Sequence, residues 1–257
     1  MSRFFSLWIW FSITLLILLW LPLLLLVRVF DRSEIQYKTG KTFRKLGMAI
    51  SRLNPNWKIT IEGAEGIDDR NPYIVVCNHL SNADIPLISN LPWEMKWIAK
   101  KELFDVPLVG WMMKLSGDIS VNRSEKNKKG ELFEQCCFYL DRHCSVMFFP
   151  EGTRSRSGKL GKFAPGAFEL AMKENIPILP LVIDGTQDCL PKKTWIFERD
   201  VFINLKVLDP VIPGEEGAEG SVELMNTVRE QIVGQLAEWR GVSEIDIDET
   251  IMADYHQ

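Results

Sequence analysis

Residues 73–84 read YIVVCNHLSNAD. The stretch opens with an uninterrupted apolar, β-rich run, Tyr73 to Cys77, the pattern of a strand covered on both faces. It then turns polar, so His79 and Asp84 leave the C-terminal edge of a buried strand, where α/β sheets place their ligands. On a straight helix, side chains at this spacing would diverge by roughly 140°. Contact between them therefore needs a turn, and Ser81 and Asn82 suit one. In contact, the carboxylate fixes the imidazole tautomer and stabilises the imidazolium formed when His79 takes a proton from a hydroxyl. The other reading is a histidine and an aspartate satisfied separately on a polar loop.

Outward from this segment, short β-rich runs alternate with longer helical patterns. Strands are expected near Lys58–Ile61, Tyr73–Cys77, Ile119–Val121, Val146–Phe149, Ile178–Ile183 and Phe202–Val207. Helices are expected near Leu108–Leu115, Lys126–Asp141, Pro165–Glu174 and Ser221–Trp239. Such alternation predicts an α/β layer structure with a mixed, largely parallel sheet flanked by helices.

A second polar exit follows the strand Val146–Phe149: Pro150, Glu151, Gly152, Thr153, Arg154, Ser155. Gly152 lets backbone N–H groups approach a ligand, and Arg154 offers a planar fork suited to phosphate. No G-x4-G-K-[ST] loop occurs, so this is not a nucleotide P-loop. Alternatively, Glu151 and Arg154 pair with each other in a surface turn. Cys77 would point to the same side of its strand as His79, which leaves open a Cys–His pair forming an acyl-enzyme.

The N-terminus has a different character. From Phe4 to Val27 no residue is charged, and such a helix would reach roughly 36 Å against a hydrocarbon core of about 30 Å. It can span a bilayer as one helix, or break at Pro22 into a helical hairpin that enters and leaves one leaflet. A basic belt follows, Arg28, Arg32, Lys38, Lys41, Arg44 and Lys45, which puts the rest of the chain on the cytoplasmic side by the positive-inside rule. Residues 33–53 read as a basic amphipathic helix suited to anionic lipid. The expected organisation is an anchor at 1–30, a basic interfacial helix within 31–56 and a catalytic domain at 57–257.

The net charge of -4 over 257 residues argues against a nucleic-acid protein. Five cysteines without C-x-x-C spacing suit reduced thiols. The three histidines stand outside any zinc-ligand pattern, so no metal site is expected. No G-x-S-x-G elbow supplies a hydrolase serine.

Together these residues resemble the 1-acylglycerol-3-phosphate (lysophosphatidic acid) acyltransferase family, in four blocks across about residues 57–190. The first block is Asn78-His79-x-Ser81-x-x-Asp84. The second is Lys101-Glu102-Leu103-Phe104 with Pro107 and Gly110, running on to Gly117-x-Ile119-x-Val121-x-Arg123. The third is Phe149-Pro150-Glu151-Gly152-Thr153-Arg154-Ser155, and the fourth Ile176-Pro177-Ile178-Leu179-Pro180. The resemblance implies His79 as general base and Asp84 as its orienting partner. It implies Lys101 and Arg123 on the acceptor phosphate, and Glu151, Gly152, Thr153 and Arg154 in the acceptor-binding loop. Asn122 stands where many relatives carry Asp.

The implied reaction makes phosphatidic acid from a lysophospholipid, with acyl-CoA or acyl carrier protein as acyl donor, at a membrane such as a bacterial inner membrane. No metal or resident cofactor is implied. Acylation of another lysolipid, or lipid binding without catalysis, are the competing expectations. Trp93, Trp97, Trp111 and Met112 are candidates for an acyl groove, with core packing as their default role.

Overall fold

The computed structural model describes residues 2–122, 129–191, 194–214 and 218–249. The elements run α1 (Ser2–Phe30), α2 (Tyr37–Ser51), β1 (Trp57–Glu62), β2 (Ile74–Cys77), α3 (Asp84–Ile88), β3 (Met95–Lys100) and α4 (Val109–Leu115). They continue with β4 (Ile119–Val121), α5 (Lys129–Leu140), β5 (Ser145–Phe148), α6 (Gly166–Glu174), β6 (Ile178–Asp184), α7 (Thr186–Cys189), β7 (Val201–Val207), α8 (Ala218–Arg240) and α9 (Glu244–Ile247).

Seven strands form one sheet in the order β1-β7-β6-β2-β5-β3-β4. The strands from β6 across to β4 are parallel, and only the β6–β7 step is antiparallel. The sheet is thus mixed and largely parallel, as the alternation of strand and helix patterns predicts. All four residues of β2 are buried, because helices cover one face and loops with α3 the other. Ile74 and Val76 enter the core shared with α5, α6 and α8. Val75 and Cys77 enter the opposite core beside Leu87, Ile88 and Trp97. Each such side chain contributes about 1.5–3 kcal/mol relative to exposure. On α8, Leu224, Val228, Ile232 and Leu236 recur every fourth residue and bury a single stripe.

α1 continues through Pro22 without a break and is long and apolar enough to cross a membrane. The chain reverses only at residues 31–36, where the Asp31 carboxylate accepts the Ser33 and Thr39 N–H groups and the Thr39 hydroxyl. α2 then returns along α1, joining Leu24, Leu46 and Met112 in a third apolar cluster. α1 also touches the domain near its start: Trp10 Nε1 donates to the Trp195 carbonyl, and Phe197 N donates to Ser6 Oγ.

α2 does not present all of its basic residues outward. Lys38, Lys41 and Lys45 are exposed, but Arg44 turns into the protein and bonds Asp118. There it joins Glu94 and Lys96, whose ammonium donates to Glu94 at 2.9 Å and to the Ser116 carbonyl at 2.7 Å. All four charged side chains are buried. Burial pushes the Glu94 carboxyl above its usual range, against the pull of Arg44 and Lys96. This network explains why β3 is missing from the sequence reading: Glu94 and Lys96 interrupt the apolar run with charges that the fold pairs internally.

Candidate active site

Because β2 to β6 run parallel, their C-terminal ends open on one edge of the sheet, and each delivers a polar residue there. β2 leads to His79, β5 to Glu151, β6 to Thr186, β3 to Lys101 and β4 to Asn122. Sequence order alone does not show this convergence, which comes from the strand order.

The turn between His79 and Asp84 forms as the spacing demands. Asp84 opens α3, and its N–H reaches back to the Ser81 carbonyl at 3.3 Å. His79 Nδ1 lies 2.6 Å from Asp84 Oδ2. The same oxygen accepts the N–H groups of Leu80 at 2.8 Å and Ser81 at 3.0 Å. The remaining oxygen, Oδ1, accepts the Thr186 hydroxyl at 2.5 Å. A fully buried carboxylate is tolerable here because its two oxygens hold four donors. With Nδ1 committed to Asp84, Nε2 is the nitrogen left for a substrate. The imidazole plane is fixed by Phe149, whose ring stacks on it at 4.0 Å. Asn78 anchors the loop by bonding both the N–H and the carbonyl of Ile183 at 2.8 Å.

The second constellation meets the first through the main chain. Glu151 Oε1 accepts the His79 N–H at 2.7 Å, and the His79 carbonyl accepts the Ser155 N–H at 2.7 Å. Glu151 Oε2 accepts the Gly161 N–H at 2.9 Å. Glu151 therefore does not pair with Arg154 in a surface turn; its carboxylate buckles the histidine loop to the segment that follows the motif. Burial raises its pKa above the usual glutamate range, while those two N–H donors, His79 and Arg229 pull it back. Gly152 takes φ 69°, the left-handed conformation that a glycine adopts without strain. Thr153 and Arg154 are exposed at the rim. Lys101 is also exposed, in a short 3-10 turn directly after β3. Arg123 lies outside the described residues.

The surroundings of Cys77 disfavour the nucleophile that its side of the strand left open. It is fully buried with its Sγ 3.7 Å from Asn78 Oδ1. Burial, with the carboxylates of Asp84 and Glu151 nearby, pushes its thiol well above the usual range. Trp93, Trp97 and Met112 are buried, while Trp111 is exposed on α4. Among the described residues no group of three His, Cys, Asp or Glu side chains is arranged to hold a metal ion.

Sequence reasoning missed Thr186 and the part played by Gly161. Thr186 follows Asp184-Gly185 at the exit of β6, so the rule that drew attention to His79 and Glu151 applies equally to it. Gly161 contributes only a backbone N–H, which no side-chain motif reveals.

The family model described as Acyltransferase matches residues 58–184, which hold β1 through β6 and both constellations. A chloroplastic 1-acyl-sn-glycerol-3-phosphate acyltransferase of Arabidopsis thaliana is 36% identical over 148 residues, covering 57% of this chain and 41% of that one. The chain spans about half the length of the chloroplastic relatives it matches. An uncharacterized acyltransferase of Schizosaccharomyces pombe is 31% identical over 207 residues, covering 79% of this chain and 72% of that one. The crystal structure of the 1-acyl-sn-glycerophosphate (LPA) acyltransferase PlsC from Thermotoga maritima superposes with a TM-score of 0.76 at 27% identity, over 92% of this chain and 96% of that one. Similarity over these lengths, on the fold and motifs described, makes this chain a member of the acyltransferase family, among relatives named as 1-acyl-sn-glycerol-3-phosphate acyltransferases.

Proposed function

We propose that this chain transfers a fatty acyl group from acyl-CoA or acyl-ACP to the free hydroxyl of 1-acylglycerol 3-phosphate, forming phosphatidic acid for phospholipid synthesis. The observation that carries the reading is the double hold on the His79 main chain, by Glu151 on its N–H and Ser155 on its carbonyl. It supports a reading in which His79 is the proton acceptor and the neighbouring loop binds phosphate.

In this mechanism His79 Nε2 takes the acceptor's hydroxyl proton as that oxygen attacks the thioester carbonyl. Asp84 stabilises the imidazolium. The tetrahedral intermediate then expels the thiolate, which recovers the proton from His79, leaving an ester and a free thiol. General-base catalysis supplies on the order of 10² to 10⁴ in rate, and positioning of the two substrates adds to it. Lys101, Arg123, Thr153 and Arg154 bind the acceptor phosphate, with the Gly152 turn admitting backbone N–H groups. Glu151 serves the site by holding His79, since a carboxylate would repel phosphate. The exposed apolar face of α1, with Phe4, Trp8, Phe11 and Leu19, meets lipid. Because Ser6 and Trp10 hold the start of α1 against the domain, the basic belt behind it suits the anionic cytoplasmic leaflet, in a bacterium that of the inner membrane.

The test is to offer the reconstituted protein acyl-CoA or acyl-ACP with 1-acylglycerol 3-phosphate or phosphate-free lysolipids, with His79→Ala as control. Phosphatidic acid from the parent alone is expected. Transfer only to phosphate-free lysolipids would overturn the acceptor, and no transfer at all would favour lipid binding without catalysis.

A further inference from the structure

α8 lies outside the residues matched by the family model, yet two of its arginines reach the catalytic edge of the sheet. Arg229 and Arg240 are three turns apart and differ by only about 20° around the helix axis, so they share a face. Arg240 pairs with Asp184 at 2.6 Å and donates to the Gly158 carbonyl at 2.8 Å. Arg229 makes a denser set of bonds. Its Nε and Nη2 form a fork on Asp248, at 2.8 and 2.5 Å. Its Nη1 donates to the Gly161 carbonyl at 2.6 Å and Nη2 to the Leu160 carbonyl at 3.3 Å. The guanidinium also lies over the Phe163 ring, 4.9 Å from its centroid.

Asp248 comes from the segment after α9, which pairs with the same stretch of chain. Leu160 N donates to the Ile247 carbonyl at 2.8 Å, and Glu249 N to the Leu160 carbonyl at 3.2 Å. Leu160–Gly161 is thus gripped by backbone bonds to the C-terminal segment and by the guanidinium of α8. The far side of this grip is the active site, because the Gly161 N–H sits on Glu151, whose other oxygen holds the His79 N–H. Space there is tight: a Cβ on Gly161 would stand 3.0 Å from Glu151 Oε2.

We propose that Arg229 is a positioning residue for the catalytic dyad, holding Leu160–Gly161 together with Asp248 so that the Gly161 N–H locks Glu151 and Glu151 locks His79. An arginine suits the task because one planar group reaches a carboxylate and two carbonyls at once; a lysine carries the charge without the fork. Arg229 touches no substrate in this scheme. Its effect reaches the chemistry through the orientation of the His79 backbone, where a misplacement of about 1 Å costs on the order of a hundredfold in rate.

The test uses the full chain with Arg229→Met and Asp248→Asn together, so that neither charge is left buried alone. Hydrogen exchange is followed in peptides covering His79 and Gly161, under conditions where circular dichroism shows a folded protein. The proposal expects both regions to exchange faster, by about tenfold, since both N–H groups depend on one carboxylate. Faster exchange around Gly161 with His79 unchanged, or no change in either, would overturn it. If the neutral pair does not fold, Arg229→Lys carries the same comparison.

A kinetic arm rests on the acyl-transfer reading. There kcat of the neutral pair falls about ten- to a hundredfold with the donor KM within twofold, and adding Glu151→Gln produces no loss beyond that of Glu151→Gln alone. Losses that multiply, or a lower melting temperature with kcat intact, would mark Arg229 as structural only. An inactive parent would count against the proposed reaction, while the exchange arm would still decide the role of Arg229.

Discussion

The four donors on Asp84 are divided unequally, and that division makes Asp84→Asn a probe of charge alone. Oδ2 serves His79, Leu80 and Ser81, while Oδ1 serves only the Thr186 hydroxyl. With the amide oxygen of asparagine at the Oδ2 position, three donors keep their acceptor. The amide NH₂ then faces Thr186, whose hydroxyl rotates from donating to accepting. Packing and tautomer survive, and only the negative charge is lost. The imidazolium charge lies about 4 Å from the carboxylate, which at an effective dielectric of about 20 gives an attraction of about 4 kcal/mol. At about 1.4 kcal/mol per factor of ten, kcat should fall about a thousandfold. The assay is acyl transfer at saturating donor and acceptor, with thermal melts on the same preparation. Expected are a melting temperature within a few degrees of the parent and KM values within twofold. A folded Asn variant retaining more than a tenth of the parental kcat would refute the charge argument. Asp84→Ala is the contrast: it strands buried donors at about 1–3 kcal/mol each and should damage folding itself.

Thr186→Val removes the donor on Oδ1 at constant shape and should cost about 1.5–3 kcal/mol of stability, with Thr186→Ser restoring most of it; equal denaturant midpoints for parent and Val would exclude a bond of this strength. Cys77→Ala should transfer acyl groups within twofold of the parent, and Cys77 itself, followed by peptide mapping because Cys137 is only partly buried, should resist alkylation at pH 8 in the native protein because burial holds its thiol protonated. A large loss in Cys77→Ala would point instead to an acyl-cysteine. For Glu151 the folded pKa lies above the usual 4.5, so the native state binds the proton more tightly than the unfolded chain. Stability linked to it is present at or below pH 4.5 and is lost as pH rises through the folded pKa. The melting temperature of the parent relative to Glu151→Gln should therefore drop as pH rises across that window, and a constant difference from pH 4 to 8 would contradict the burial argument.

What the sequence revealed follows from what is local in it. The β2 run, the polar turn after it and the glycine-bearing exit of β5 are contiguous, so their chemistry can be read from neighbouring residues. The contact between His79 and Asp84 was a condition set by spacing, and the start of α3 at Asp84 meets it. The pairing imagined for Glu151 and Arg154 failed for the converse reason: the donors that claim Glu151 belong to His79 and Gly161, the first of them from a different strand's loop. β3 was hidden because Glu94 and Lys96 break its apolar pattern, and their partners Arg44 and Asp118 are far away in sequence. Thr186 was within reach of the strand-exit rule, whereas the grip of Arg229 on Leu160 and Gly161 depends on where α8 packs.

The buried ionic cluster under α2 also bears on any effort to make a soluble version of this protein by trimming. Starting the chain at residue 57 would remove apolar helix and, with it, the Arg44 guanidinium that faces Asp118 and Glu94. Removing one partner of a buried ionic set costs about 3–5 kcal/mol, a large share of the about 5–15 kcal/mol that holds a typical domain together. Detergent demand would fall while folding yield fell with it. A designer who wants a more soluble protein would do better to keep α2 and shorten only α1, because Asp118 also accepts the Trp97 N–H and Lys96 donates to the Ser116 carbonyl, so apolar replacements there would strand backbone groups.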